Sequence, residues 1–108
     1  MAPPVVLLLL EARAAGVRVG LNERGGLTLR AKELAADLAV ALRAREVQVL
    51  ALYDWTRARM GEAQPCALCG KPALLRDPVD QRPCHKVCVG RLLSGKTVPR
   101  AWRVGRVA

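Results

Sequence analysis

The amino-acid sequence predicts an α+β protein in which a small αββαα domain precedes a short cysteine-rich module and a basic tail. The hydrophobic pattern is helical near the N-terminus, alternates over residues 17–31, and becomes helical again afterwards. All four cysteines and the single histidine lie between residues 66 and 88. A chain of 108 residues has room for one ordinary domain or two very small ones. We therefore expect domains at 1–60 and 65–94, followed by a tail at 95–108.

The first predicted element is a helix over about residues 4–15, within V-V-L-L-L-L-E-A-R-A-A. Pro3 and Pro4 suit a first helical turn, and Gly16 suits a C-terminal stop. The apolar run that ends at Leu10 is too short to cross a membrane, since a spanning helix needs about 20 such residues. It also lacks the basic start and the cleavage site of a signal peptide. We therefore expect a cytoplasmic protein, in which clustered thiols stay reduced.

Two alternating stretches, V-R-V-G-L and L-T-L-R-A, flank the turn sequence N-E-R-G-G. Alternation around a glycine-rich turn predicts a β-hairpin, here with strands at about 17–21 and 27–31. Each strand is expected to carry its alternate apolar residues on one face, namely Val17, Val19 and Leu21 on the first and Leu27 and Leu29 on the second.

Leucines then recur at every fourth position, the spacing of an amphipathic helix: Leu34, Leu38 and Leu42. The charged sequence R-A-R-E at 43–46 crosses this apolar stripe and predicts a break. We expect two helices, at about 32–44 and 46–60, and a linker over 61–65.

The cysteine-rich module contains two close pairs of soft metal ligands separated by a short loop, P-C-A-L-C-G and R-P-C-H-K-V-C. This arrangement predicts one tetrahedral Zn²⁺ site. In the first pair, a two-residue gap lets the sulfurs of Cys66 and Cys69 converge on one ion, and Gly70 can adopt the positive φ that follows such a turn. A module this small generally needs a metal or disulfides to fold, so we expect a structural zinc ion.

The second ligand pair has two solutions, because Cys88 can share a helix face with either His85 or Cys84. We prefer His85 with Cys88, which completes a Cys₃His set. The layout C-x2-C…H-x2-C resembles treble-clef and LIM-like zinc fingers, in which the second pair lies at the start of a helix. Cys84 is then either a small buried apolar residue or a thiol beside the site. The alternative is a Cys₄ site in which Cys84 replaces His85.

The sequence around the cysteines does not favour catalysis. No glutamate follows Glu62, and no second histidine exists to act as a base beside a metal-bound water. Asp77 and Asp80 lie in R-D-P-V-D, where we expect them to form turns. We therefore predict a closed structural site, no small-molecule substrate and no enzymatic activity.

The formal net charge is +9, and the positive charge is concentrated at the C-terminal end. No acidic residue follows Asp80, whereas seven basic residues do. This asymmetry predicts a nucleic acid or an acidic protein surface as partner. The candidate contacts are basic residues of the last helix and the tail, namely Arg91, Lys96, Arg100, Arg103 and Arg106. Trp102 would either stack on a base or fold back onto the zinc module.

The N-terminal half resembles a known family of docking domains. A helix, an A-G-V-R-V hairpin, L-T-L and then L-x-x-x-L-x-x-x-L-R-A-R-E-x-x-V-L-A-L are similar to the TubC-type N-terminal docking domains of hybrid peptide–polyketide synthetases, over about residues 5–52. The resemblance implies an αββαα fold, self-association, and docking of a partner segment along the hairpin edge. A zinc module follows here in place of a synthetase module, so the resemblance implies the fold more than a synthetase role.

Together these features predict a non-enzymatic zinc-binding adaptor. The N-terminal domain would dock a protein partner, including a second copy of itself, and the zinc finger and tail would contact a nucleic acid or an acidic partner. The alternative is a DNA- or RNA-binding accessory protein of a phage or mobile element, acting in replication or transcription. A zinc-dependent enzyme is a third, less favoured class.

Overall fold

The α+β class predicted from the sequence is confirmed. The protein is described here from a computed structural model, which covers residues 4–33, 35–94, 98–99 and 102. The elements in chain order are α1 (Val5–Ala14), β1 (Arg18–Leu21), β2 (Leu27–Arg30), α2 (Ala36–Ala44), α3 (Glu46–Ala51), β3 (Met60–Pro65), β4 (Pro72–Leu75) and α4 (Lys86–Leu93). Among these residues, no helix combines the length and the apolar character needed to cross a membrane.

Helix α1 is buried on nearly every side, because its first six residues are all apolar and all inaccessible. A helix that is apolar all round belongs inside a core rather than on a surface. It ends where the sequence predicts. Gly16 adopts a φ of +83°, and its N–H donates to the Arg13 carbonyl while that of Val17 donates to Ala12. These two bonds satisfy carbonyls that the last helical turn leaves without partners.

Strands β1 and β2 form the predicted antiparallel hairpin, with Val19 opposite Leu29. The turn is closed by the Asn22 side chain, which accepts the backbone N–H groups of Arg24 and Gly26. One expectation fails at the tip. Leu21 was expected to share the buried face of its strand, but it is 47% exposed, because the strand ends at this residue and nothing described covers it.

The helices that follow are shorter than expected. Helix α2 begins at Ala36 rather than at 32, and Leu34 lies outside the described residues. The predicted break is confirmed, since the chain turns at Arg45 between α2 and α3. The prediction of a helix to residue 60 is wrong. Helix α3 ends at Ala51, and the Asp54 carboxylate then accepts both the backbone N–H and the hydroxyl of Thr56, which forms a local turn instead.

The predicted linker at 61–65 is also wrong, because this segment is strand β3. It pairs antiparallel with β4, with Gln64 opposite Ala73 and Pro65 opposite Pro72. All six residues of β3 are exposed, so the strand has no buried apolar face of the kind that marks a strand in a sequence. Its partner strand and the turn between them determine its conformation.

The N-terminal elements and the cysteine-rich module pack around one apolar core. Helix α4 contacts both α1 and β1. The buried cluster runs from Val5 in α1 through Cys66 and Leu92 to Trp102. Because Trp102 is only 8% exposed, its position agrees with folding back onto the protein rather than with stacking on a base.

A candidate metal centre

The first two candidate ligands lie in the tight turn that joins β3 to β4. The backbone N–H of Cys66 donates to the Lys71 carbonyl, and that of Gly70 donates to Cys66. Gly70 has a φ of +77°, the conformation predicted for it from its place after the second cysteine. The turn also aims the N–H of Leu68 at the Cys66 sulfur, 3.4 Å away. The chain is thus folded so that Cys66 and Cys69 point to the same side.

The other candidate ligands lie where an extended segment becomes helix α4. His85 is the N-cap residue, with extended backbone angles of φ −81° and ψ 134°. In an extended chain, consecutive side chains point to opposite sides. Cys84 therefore points into the core, where it is fully buried, while His85 points toward the turn at Cys66–Cys69. Cys88 lies one helical turn further on and reaches the same space.

Four side chains converge at this place: Cys66, Cys69, His85 and Cys88. Their ligand atoms, three sulfurs and the His85 nitrogen, all lie within 4.8 Å of one another. His85 Nδ1 is 3.3 Å from Cys69 Sγ and 3.6 Å from Cys88 Sγ. All four cysteines are free thiols. These residues lie close enough together to coordinate a metal ion, and Cys84 does not belong to the group.

The imidazole of His85 is held in the orientation that a ligand needs. Its Nε2 lies 2.8 Å from the carbonyl oxygen of Pro72. A carbonyl oxygen only accepts, so Nε2 carries a proton, and in the neutral imidazole Nδ1 then presents its lone pair. That lone pair faces the sulfurs of Cys69 and Cys88. Fixing the remote nitrogen of a ligating histidine in this way is the usual device by which proteins orient it toward a metal.

The electrostatics of the thiols separate Cys84 from the ligands. Two effects raise the pKa of the Cys84 thiol: the larger is its hydrogen bond to Cys66, and the second is its burial. This thiol therefore keeps its proton. The same hydrogen bond lowers the pKa of Cys66 to about 3, which leaves Cys66 as a thiolate. Burial raises the pKa of Cys88 to about 12. A metal ion would therefore take up an existing thiolate at Cys66 and displace a proton at Cys88.

The two aspartates of the intervening loop are both engaged with backbone. Asp77 is fully buried and accepts the N–H groups of Val79 and Arg82 at 2.9 and 3.0 Å, which confirms it as a turn former. Asp80 instead reaches the N-terminus of α1. Its Oδ2 accepts the N–H of Val5 at 2.7 Å and of Val6 at 3.4 Å.

Asp80 also lies 3.7 Å from the guanidinium of Arg45, at the junction of α2 and α3. Helix α1 begins at Val5, and its N-cap residue, Pro4, supplies no side-chain cap. Asp80 supplies that cap from a distant part of the chain and lies at the positive end of the helix dipole. Sequence reasoning missed this role, because no local signal links residue 80 to residue 5. The orienting carbonyl of Pro72 was missed for a similar reason, since it depends on the pairing of β3 with β4.

Of the five basic residues predicted to contact a partner, one lies within the described part of the structure. Arg91 is exposed in the last turn of α4, where a cation suits the negative end of the helix dipole. The other four, Lys96, Arg100, Arg103 and Arg106, lie outside the described residues.

Comparisons of this chain with protein-family models, with curated proteins and with solved structures found no match. The properties of the site therefore rest on its own geometry.

Proposed function

We propose that this protein is a non-enzymatic adaptor organised around a structural Zn²⁺ ion bound by Cys66, Cys69, His85 and Cys88. The convergence of these four donor atoms carries the proposal. With Zn–S near 2.3 Å and Zn–N near 2.0 Å, tetrahedral ligands lie about 3.5–3.8 Å apart. The two distances from His85 Nδ1 to sulfur, 3.3 and 3.6 Å, are close to this spacing. Thiolate and imidazole donors together favour zinc over magnesium or calcium.

Two observations favour a structural ion over a catalytic one. Four protein ligands fill a tetrahedral shell and leave no position for a reactive water. In addition, the carboxylates nearest along the chain are committed elsewhere: Asp77 to its own turn and Asp80 to α1. A zinc hydrolase needs a base beside the metal, and among the described residues the loop supplies none. The ion would hold the turn at Cys66–Cys69 against the start of α4.

Metal analysis with two alanine variants tests this ligand set. Purified protein should contain one zinc ion per chain. His85→Ala should lose stoichiometric zinc, because it removes a ligand. Cys84→Ala is the matched control, since it removes a buried thiol that hydrogen-bonds to Cys66 but is not among the four candidate ligands, and it should retain the ion. Cobalt substitution provides a second measurement, because sulfur-to-cobalt absorption reports how many thiolates bind. Loss of zinc from Cys84→Ala together with retention in His85→Ala would establish the Cys₄ alternative.

In the adaptor proposal, the N-terminal elements dock a protein partner, including a second copy of the chain. Support comes from the hairpin, because a two-stranded sheet keeps an outer edge on each strand that can accept another strand. The resemblance to TubC-type docking domains leads to the same proposal. Sedimentation over a concentration series tests self-association, and a monomer at every concentration would refute that part.

A second candidate function is nucleic-acid binding through the basic C-terminal segment. One observation favours it: after Asp80 the sequence contains seven basic residues and no acidic residue. Binding of this kind weakens steeply with salt, because phosphate neutralisation releases counterions. Replacing Arg100, Arg103 and Arg106 with alanine together should flatten the salt slope. Salt-independent binding, or none at all, would end this candidate function.

A further inference from the structure

A cavity of about 220 Å³ lies between the chain that follows α3 and the outer face of α4. Its walls include Leu52, Tyr53 and Trp55 on one side and Lys86, Gly90 and Leu93 on the other. The chain has only three aromatic residues, two Trp and one Tyr, and two of them line this cavity. An apolar cavity of about 150 Å³ holds a benzene ring. The space is therefore large enough for one aromatic or branched aliphatic side chain.

The wall formed by Trp55 is fixed before any ligand arrives. Its indole Nε1–H donates to the Leu52 carbonyl at 2.7 Å, which ties the ring to the end of α3. A ring held in this way loses little conformational freedom on binding, so it contributes more of its contact energy to affinity. Aromatic side chains in such positions are typical anchors of protein–protein contacts.

Gly90 points to an occupant from outside the described chain. It lies in the middle of α4, where glycine costs roughly 1 kcal/mol relative to alanine. A Cβ built at this position meets no atom within 4 Å, so packing against the described part of the chain does not require glycine. Its φ is not in the left-handed region, so the backbone does not require it either. Glycine in such a place leaves room for the close approach of a ligand or another chain.

The positive charge beside the cavity indicates which kind of side chain would bind there. Among the described residues, Lys86 is the only charged one in the lining. The nearest carboxylate along the chain, that of Asp54, is not in the lining and is bonded to Thr56. The other lining residues with polar side-chain groups, Ser94, Tyr53 and Trp55, are uncharged. An apolar floor with a cationic rim is complementary to an apolar side chain flanked by a carboxylate.

We propose that this cavity binds the apolar anchor residue, aromatic or leucine, of an acidic segment in a partner protein. The anchor fills the space over Gly90 between Trp55 and Leu93, and a flanking carboxylate of the partner pairs with Lys86. This inference rests on the adaptor role proposed above and assigns that role a second surface, separate from the hairpin edge.

The probe is a blocked pentapeptide, Glu-Glu-Phe-Glu-Glu, titrated into zinc-loaded full-length protein. NMR follows the methyl groups of Leu52 and Leu93 and the indole N–H of Trp55, and these signals should shift. A peptide with alanine in place of phenylalanine tests the anchor, and one with lysine in place of glutamate tests the charge. Each should bind more weakly by at least about tenfold, as expected for loss of a buried anchor or of charge complementarity.

Two variants and one control test the protein side. Gly90→Leu fills the cavity without harming the helix and should weaken binding at least about tenfold. Lys86→Glu should weaken it similarly, and most strongly at low salt, where charges are least screened. The matched control is Val87→Leu, on an exposed position of the same helix that does not line the cavity. It should leave affinity within about twofold, as for a surface change away from the contact.

Three results would overturn the proposal. In the first, a thymidine oligonucleotide shifts the methyl signals of Leu52 and Leu93 and the acidic peptide does not. The cavity would then be a nucleic-acid site. Another is a nuclear Overhauser contact in the free protein between Leu52 and residues 103–108, which would show that the chain's own end fills the space. The third is equal affinity in Gly90→Leu and wild type. Zinc content is measured in the same samples, so failure of the metal centre is distinguished from failure of the cavity.

Discussion

Asp80→Ala tests whether the loop between the ligand pairs also holds the N-terminal helix in place. The substitution removes the carboxylate that accepts the first two free N–H groups of α1, from Val5 and Val6. It also removes the partner that Arg45 meets at 3.7 Å. Since both helix residues are buried, water has little access to replace the lost acceptor. We expect a clear loss of stability although no candidate metal ligand has changed.

The expected loss is about 2–3 kcal/mol. Removing a helix N-cap costs about 1 kcal/mol, and leaving a buried N–H without a partner costs about 1–3 kcal/mol. The cost of losing the cap and the cost of the unpaired N–H groups arise from the same hydrogen bonds, so the two figures are not simply added. The ion pair adds at most about 1 kcal/mol, because exposed and partly exposed pairs contribute little. For a domain of this size, each kcal/mol lowers Tm by about 4–8 °C, so the shift should be about 8–24 °C.

Thermal and urea unfolding of zinc-loaded protein measure this loss, with zinc content determined in parallel. Glu23→Ala is the matched control, because it removes the same charge from an exposed hairpin turn. Asp80→Ala should also accelerate amide exchange at Val5 and Val6, and its effect should be non-additive with zinc removal, since both act on one loop. The reasoning is refuted if Asp80→Ala and Glu23→Ala differ by less than about 0.5 kcal/mol with normal zinc content.

Three further predictions follow from the same contacts. Burial and Asp77 raise the pKa of Asp80, so the folded chain binds this proton more tightly than the unfolded chain. The stability of wild type relative to Asp80→Asn should therefore increase as the pH falls from about 7 toward 4, and a flat difference in urea unfolding would contradict it. Removing zinc with a chelator should loosen α1 as well as α4, because the two helices pack together. Restored circular dichroism on adding zinc is the control, and unchanged amide protection in α1 would oppose the prediction. Finally, Gly16→Ala should lower stability by about 1 kcal/mol because its φ is positive, whereas Gly90→Ala should raise it by up to about 1 kcal/mol; calorimetry showing the same sign for both would count against this assignment.

Local chemistry explains which features could be predicted from the sequence. The Schellman-type stop at Gly16 and the hairpin turn closed by Asn22 depend on residues only a few positions apart. The turn at Cys66–Gly70 is partly local in the same sense, because Gly70 donates to Cys66 and Cys66 to Lys71, while Ala67 donates to the distant Pro83. Strand β3 could not be predicted, since its residues are exposed and its conformation comes from pairing with β4.

The sequence by itself determined the kind of centre: two pairs of soft ligands at spacings that suit one metal ion, next to a positively charged segment. It left His85 and Cys84 as alternatives, because both are within reach of Cys88 along the chain. Only the tertiary structure separates them, because it places His85 with the sulfurs of Cys66, Cys69 and Cys88 and leaves Cys84 outside this group. The segment before α4 is extended, so the side chains of Cys84 and His85 leave the backbone on opposite sides. The carbonyl of Pro72 then holds the imidazole of His85 in its orientation. The cap that Asp80 places on α1 was decided in the same way, because the two groups are 75 residues apart and meet only in the folded core.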